Sequence, residues 1–208
     1  MKVISINIAS VVQEGDWTGS EGKTGIDKRS VSGAVVFAQE RVANDVIVDT
    51  QSHGGFDQAV YAYAREDADW WESEIGTSID NGRFGENLTT LGIDVNAAVV
   101  GEQWEIGSVI LEVSQPRIPC RVFAGFWKRP NLIKEFMAAG RPGTYLRIIQ
   151  EGEITAGDSI KVIKVPDHGV TIADIYAAKN GERSKVREIA QVKELSMKYQ
   201  EWAKNLNL

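Results

Sequence analysis

The chain has a single cysteine in 208 residues. That leaves no intrachain disulfide, no cysteine-ligated iron–sulfur cluster, which takes about four ligands, and no Cys-rich zinc site. Histidine is nearly as scarce: His53 and His168 stand far apart, in no metal-ligand spacing such as His-Glu-x-x-His. Positive charge is short, with 23 Lys and Arg against 29 Asp and Glu for a net charge of −6. A general nucleic-acid binder, whose affinity comes from phosphate contacts, is therefore not expected. No stretch approaches the roughly 20 apolar residues of a membrane span. The opening MKVISINIAS alternates where a signal peptide would run continuously apolar. A cytoplasmic protein with no membrane partner is expected.

What is present is ordinary globular composition, 43% hydrophobic and 25% charged, which excludes a disordered or fibrous chain. The length fits one domain, or one with a small appendage. Twenty glycines against five prolines supply many tight turns. Alternation predicts strands at Val3–Ile8, Ala59–Tyr63, Ser108–Ser114, Tyr145–Gln150 and Ser159–Val165, with EGEI at 151–154 as a reversal. Helical spacing predicts Glu66–Ile75, stopped by Gly76, and Leu132–Ala139, stopped by Gly140 and Pro142. Pro166–Gly169 reads as a linker. Thr171 then stands three residues before Asp174, a capping pattern that opens a helix through Ala178. A longer amphipathic helix is expected over Ser184–Leu206. The fold class is mainly β with some helix (α+β): a curled sheet or barrel over residues 1–165, and a small helical domain over 166–208. That tail is too short to fold alone and should pack on the body or on a partner.

Five places could carry chemistry. Cys120, in SQPRIPCRVFAGFW, lies in a segment stiffened by Pro116 and Pro119 and flanked by Arg117 and Arg121. Adjacent cations favour a thiolate, the form that serves as nucleophile or soft-metal ligand, although a lone cysteine is as often a small buried hydrophobe. In QSHGGFDQAVYAY, His53-Gly54-Gly55 makes a turn where backbone can approach a ligand, and Asp57 could orient the imidazole. Taken alone, His-Gly-Gly is more often simply a turn. Glu86 and Asn87 in RFGENLTT present an acceptor and an amide, and by themselves read as a polar surface turn. Lys28 and Arg29 in TGIDKRSV are neighbouring cations of the kind that bind phosphate, or that only face solvent. His168, in the linker with nothing beside it in sequence, reads as structural.

Together and in order, TGIDKRSV, QSHGGFDQAVYAY, FGENLTT, IGSVILEVSQPRIPC and RPGTYLRI…GEITAGD resemble the MOSC-domain family in its bacterial YiiM-type branch. MOSC names the C-terminal domain of molybdenum-cofactor sulfurases. The resemblance covers about Met1–Val165, and the tail is similar to the three-helix domain that follows in that branch. It implies a β-barrel body that binds the molybdopterin form of the molybdenum cofactor, with Cys120 matching the motif cysteine that ligates molybdenum. Pyridoxal phosphate is not expected. His53, Gly54, Gly55, Asp57, Glu86 and Asn87 fall in the family's motifs, and Lys28, Arg29, Arg117 and Arg121 are the cations available to the cofactor's phosphate. The sequence departs from the family at Gln58, where Lys is usual, and at Thr144, where an aromatic residue is common.

The activity implied is reduction of N-hydroxylated compounds, such as hydroxylaminopurines and amidoximes, to amines or amidines, a detoxifying reaction. With one cysteine and no iron–sulfur cluster, electrons must come from a separate flavoprotein or ferredoxin-type donor. The alternative within the family is a non-catalytic carrier of the cofactor or of sulfur. Outside it stand a metal-free cysteine enzyme using Cys120 and His53, and an interaction protein acting through its C-terminal helices.

Overall fold

A computed structural model describes residues 1–206. The strands are β1 Lys2–Ile8, β2 Gln13–Glu14, β3 Lys23–Thr24, β4 Arg29–Val31, β5 Ala34–Ala38, β6 Arg41–Val42, β7 Val60–Ala64, β8 Leu88–Leu91, β9 Gln103–Ile106, β10 Val109–Pro116, β11 Thr144–Gln150, β12 Gly152–Thr155 and β13 Ile160–Lys164. The helices are α1 Arg65–Ile75, α2 Arg121–Phe126, α3 Leu132–Ala139, α4 Ile172–Lys179, α5 Val186–Ile189 and α6 Met197–Leu206. Strands with a minority of helix bear out the α+β class. Among the described residues no helix is long and apolar enough to cross a membrane.

Eight strands form one sheet in the order β13-β9-β10-β11-β7-β8-β1-β4. All neighbours run antiparallel except β7 and β8, which are parallel. The helix α1 lies between those two strands in sequence, and a parallel pair needs such a crossover. The expected barrel is not a full ring of strand ladders. The sheet curls until β1 meets the start of β13, and there a single isolated bridge, Lys2 to Ser159, joins them. The seam is sewn by Val3 N–H donating to Asp158 O at 2.9 Å, Gly157 N–H to Val3 O at 2.8 Å and Ile160 N–H to Met1 O at 3.0 Å.

Alternation within strands divides the interior in two. In β7 every residue is buried. Val60, Ala62 and Ala64 face the main core with Leu111, Val113 and Leu146. Tyr61 and Tyr63 face an aromatic cluster with Trp71, Phe84, Phe123 and Phe136, roofed by α1, α2 and α3. A strand covered on both faces has no polar side to show, which is why VYAYA carries none. In β10, Val109, Leu111 and Val113 point into the main core as their spacing predicts. The register shifts between Val113 and Gln115, a bulge that turns the strand just before Arg117.

The predicted α1 and α3 are present, each ended by a left-handed glycine, Gly76 and Gly140. Thr171 and Asp174 form a complete capping box at the start of α4. Three expectations are corrected. EGEI does not merely reverse the chain: Gly152–Thr155 is strand β12, paired with β5 outside the main sheet. Ser184–Leu206 is not one helix: it breaks into α5 and α6, with residues 190–196 as a turn whose Val192 and Leu195 are buried. His168 is structural but not unpartnered, since its Nε2 lies 3.0 Å from Val100 O and its Nδ1 accepts from Val170 N–H. The tail packs on the body: Val170, Ile172, Ile175, Ile189, Leu195 and Ala203 belong to the same core as Trp104 and Val113. The last two residues of the 166–208 span lie outside the described residues.

Candidate functional site

Cys120 ends the stiff segment that leaves β10. It is not in a free loop but caps α2, with extended backbone at φ −122° and ψ 172°. This half-buried sulfur faces a cleft walled by the irregular segments 18–28 and 45–54, by 84–87 and by the 117–122 turn. The cleft offers about 190 Å³ to water-sized spheres. One water needs only about 10–15 Å³, so the space is sized for an organic ligand. Its two longer walls touch at Gly25, where any Cβ would strike the carbonyl oxygen of Val46.

Three neighbours act on the sulfur. Burial pushes the Cys120 thiol up, but a hydrogen bond from His53, the positive charge of Arg117 and the amide of Phe123 outweigh it and bring the value to about 7. His53 is itself backed by Asp49, whose Oδ2 lies 3.6 Å from Nδ1. Asp49 is steadied in turn by the Ser52 amide at 3.1 Å.

Arg117 is 6% exposed and has no carboxylate partner among the described residues. Its guanidinium lies over the Phe123 ring, 3.8 Å from the centroid, with Phe136 and Tyr61 further off. Nη1 has no hydrogen-bond partner. A buried cation without a counter-charge is costly unless something negative sits nearby, and the Cys120 thiolate is the group placed to serve.

Of the residues singled out by sequence, Lys28, His53, Gly54, Asn87, Arg117 and Cys120 line this cleft. Lys28 is buried and paired to Asp45, which also accepts from Asn87 Nδ2 at 2.9 Å. Burial pulls the lysine down, and Asp45 only partly restores it. The others do not reach the cleft. Arg29 points outward and is held by Asp27 at 2.8 Å. Arg121 is exposed, because it begins the helix that Cys120 caps. Glu86 is fully buried, pushed up by burial, and ties down its own turn by accepting from Gly82 N–H at 2.6 Å, Phe84 N–H at 3.0 Å and Thr89 Oγ1 at 2.9 Å. Asp57 is held by Arg147 at 2.7 Å, and Gly55 shapes the same turn with φ 72°. Sequence reasoning missed Asp49, Asp45, Tyr61 and Tyr145 as parts of the cleft. Asp49 had a signal, four residues before His53; the tyrosines carry none beyond strand alternation.

Among the described residues no three His, Cys, Asp or Glu side chains gather into a metal site. One thiolate can therefore hold only a metal that arrives with most of its ligands already attached. The donor set fits the molybdenum cofactor in that sense: a soft sulfur ligand, an uncompensated buried cation beside it, and a cleft sized for an organic group.

The MOSC domain family matches residues 49–161. The uncharacterized protein YflK of Bacillus subtilis is 29% identical over 82% of this chain and 76% of its own length. A protein named reductase from Gibberella moniliformis is 27% identical over 86% of this chain, which spans only 32% of that longer protein. The crystal structure of YiiM from Geobacillus stearothermophilus superposes with a TM-score of 0.81 at 28% identity, covering 98% of this chain and 97% of that one.

Proposed function

The chain belongs to the MOSC domain family, and from that premise we propose that it is a molybdenum-cofactor-dependent reductase of N-hydroxylated small molecules. The observation that carries this reading is the single thiol at about 7, set in an organic-sized cleft beside an unpaired buried arginine. The likeness to a protein named reductase, of which this chain spans 32%, supports oxidoreductase chemistry over a binding role.

When bound, the cofactor supplies two-electron redox chemistry and an acceptor for the substrate oxygen. The residues do the rest. Cys120 anchors the metal through its thiolate, and Arg117 balances the buried negative charge. His53, with Asp49 behind its Nδ1, holds the sulfur's charge by its hydrogen bond to Cys120. In the overall reaction the substrate N–O bond breaks, two electrons and two protons are consumed, and an amine or amidine leaves with water. The electrons come from a separate flavoprotein or ferredoxin-type partner.

The test is molybdenum per chain by elemental mass spectrometry, for wild type and Cys120→Ala purified from a host that makes molybdopterin. It is paired with benzamidoxime reduction driven by reduced methyl viologen. Metal near one per chain in wild type, absent from a folded Cys120→Ala, together with turnover is the expected result. Cofactor bound with no turnover under any donor would identify a carrier instead, and metal retained by the mutant would overturn the ligand assignment.

A further inference from the structure

The polar side chains facing the cleft are mostly committed to the protein. Lys28 and Asp45 pair with each other. Asn87 uses both ends of its amide, donating to Asp45 and accepting from Tyr61 N–H at 3.1 Å. Tyr61 Oη donates to Pro142 O at 2.7 Å. Gln58 stands apart. It lines the cleft with Cys120, yet among the described residues its carboxamide makes no hydrogen bond to the protein. Its backbone is nevertheless fixed. Gln58 N–H donates to Gly55 O at 3.0 Å, and the adjoining Asp57 is held on its carboxylate by Arg147 and on its carbonyl by Ser114 Oγ at 2.6 Å.

A carboxamide offers one donor edge and one acceptor edge side by side, the complement of an amino group next to a ring or imine nitrogen. The half-buried ring of Tyr145 lines the same cleft and offers an apolar surface to a flat group. Resting on the reductase reading above, we propose that Gln58 is the specificity-determining residue, reading the N–C–N edge of amidoximes and hydroxylaminopurines. The edge is recognised by a neutral group, so it selects these substrates over hydroxylamines that lack it. A ligand without the edge would bury the carboxamide unpaired, which is where discrimination arises.

The experiment compares holoenzyme, wild type and Gln58→Ala, on benzamidoxime and on N-phenylhydroxylamine, which share a phenyl ring but differ in the N–C–N edge. The benzamidoxime to N-phenylhydroxylamine ratio of kcat/KM should fall roughly five- to tenfold, mostly through KM for benzamidoxime. Gln58→Glu, the same shape with its donor lost, should lower the ratio as well. Equal losses on both substrates, or a drop in molybdenum per chain with the ratio unchanged, would overturn the assignment. Should wild type reduce neither compound, the reductase reading fails, and Gln58 is judged by calorimetric binding of adenine to the same preparations. Weakening by a similar factor in Gln58→Ala supports edge recognition; unchanged binding refutes it.

Discussion

Burial by itself would keep Cys120 protonated at neutral pH; the imidazole of His53 and the guanidinium of Arg117 reverse that. A thiol whose folded value lies below the ordinary ~8.5 is ionised, and so reactive, from about pH 7 upward, and loses reactivity as pH falls through that point. In cofactor-free protein, the iodoacetamide alkylation rate of Cys120 should therefore reach half its maximum near pH 7. Arg117→Met should move that midpoint upward toward the ordinary thiol value; an unmoved midpoint would show that Arg117 does not set the sulfur's charge. The same sign governs stability. Ionised Cys120 favours the fold above the unfolded thiol value, and this contribution disappears as pH drops below about 7. Flanking arginines look equivalent in sequence, yet only Arg117 acts on the sulfur. Arg117 still belongs to the extended segment and turns inward over Phe123, whereas Arg121 starts the helix and turns out. Distance along the chain carries no information about that switch of backbone.

Among elements, those set by local chemistry were the ones sequence could reveal. α3 and the cap of α4 rest on spacing, a terminal glycine and the Thr171–Asp174 pair, all of which act within a few residues. Replacing Thr171 by Ala should cost about 1 kcal/mol, read as a thermal midpoint lowered by roughly 2–4 °C for a chain of this size. The α5–α6 break was hidden because Val186, Ile189, Val192, Leu195 and Tyr199 stay in helical phase across the turn and are all buried. Hydrophobic periodicity reports which side faces the core, not whether the backbone between is helical. Strand β12 was missed because its partner, β5, lies more than 100 positions earlier, beyond the reach of any local pattern. At the cleft, Gly25→Ala should force the 18–28 and 45–54 walls apart. Its expected signature is cofactor loading reduced well below wild type in a protein that still melts cooperatively, and normal loading would show that the walls yield without consequence.

The fold class and the strand-rich body are legible across the whole molecule, because alternation survives in β1, β7, β10 and β11; the open seam of the sheet is not, because it depends on where two distant strand ends meet. The tail shares its core with the body, and each large apolar side chain taken from water contributes about 1.5–3 kcal/mol. Deleting residues 166–208 uncovers Trp104 and Val113 among others, so the truncated chain should aggregate or lose its cooperative melt, as measured by light scattering and calorimetry. A soluble, sharply melting truncation would show that the body is self-sufficient. The seam has a consequence for folding. Met1 to Val3 find their seam partners at 157–160, more than 150 positions along the chain, so that edge of β1 keeps unpaired N–H and C=O groups after its other edge has met β8, and closing it costs the entropy of a very long loop.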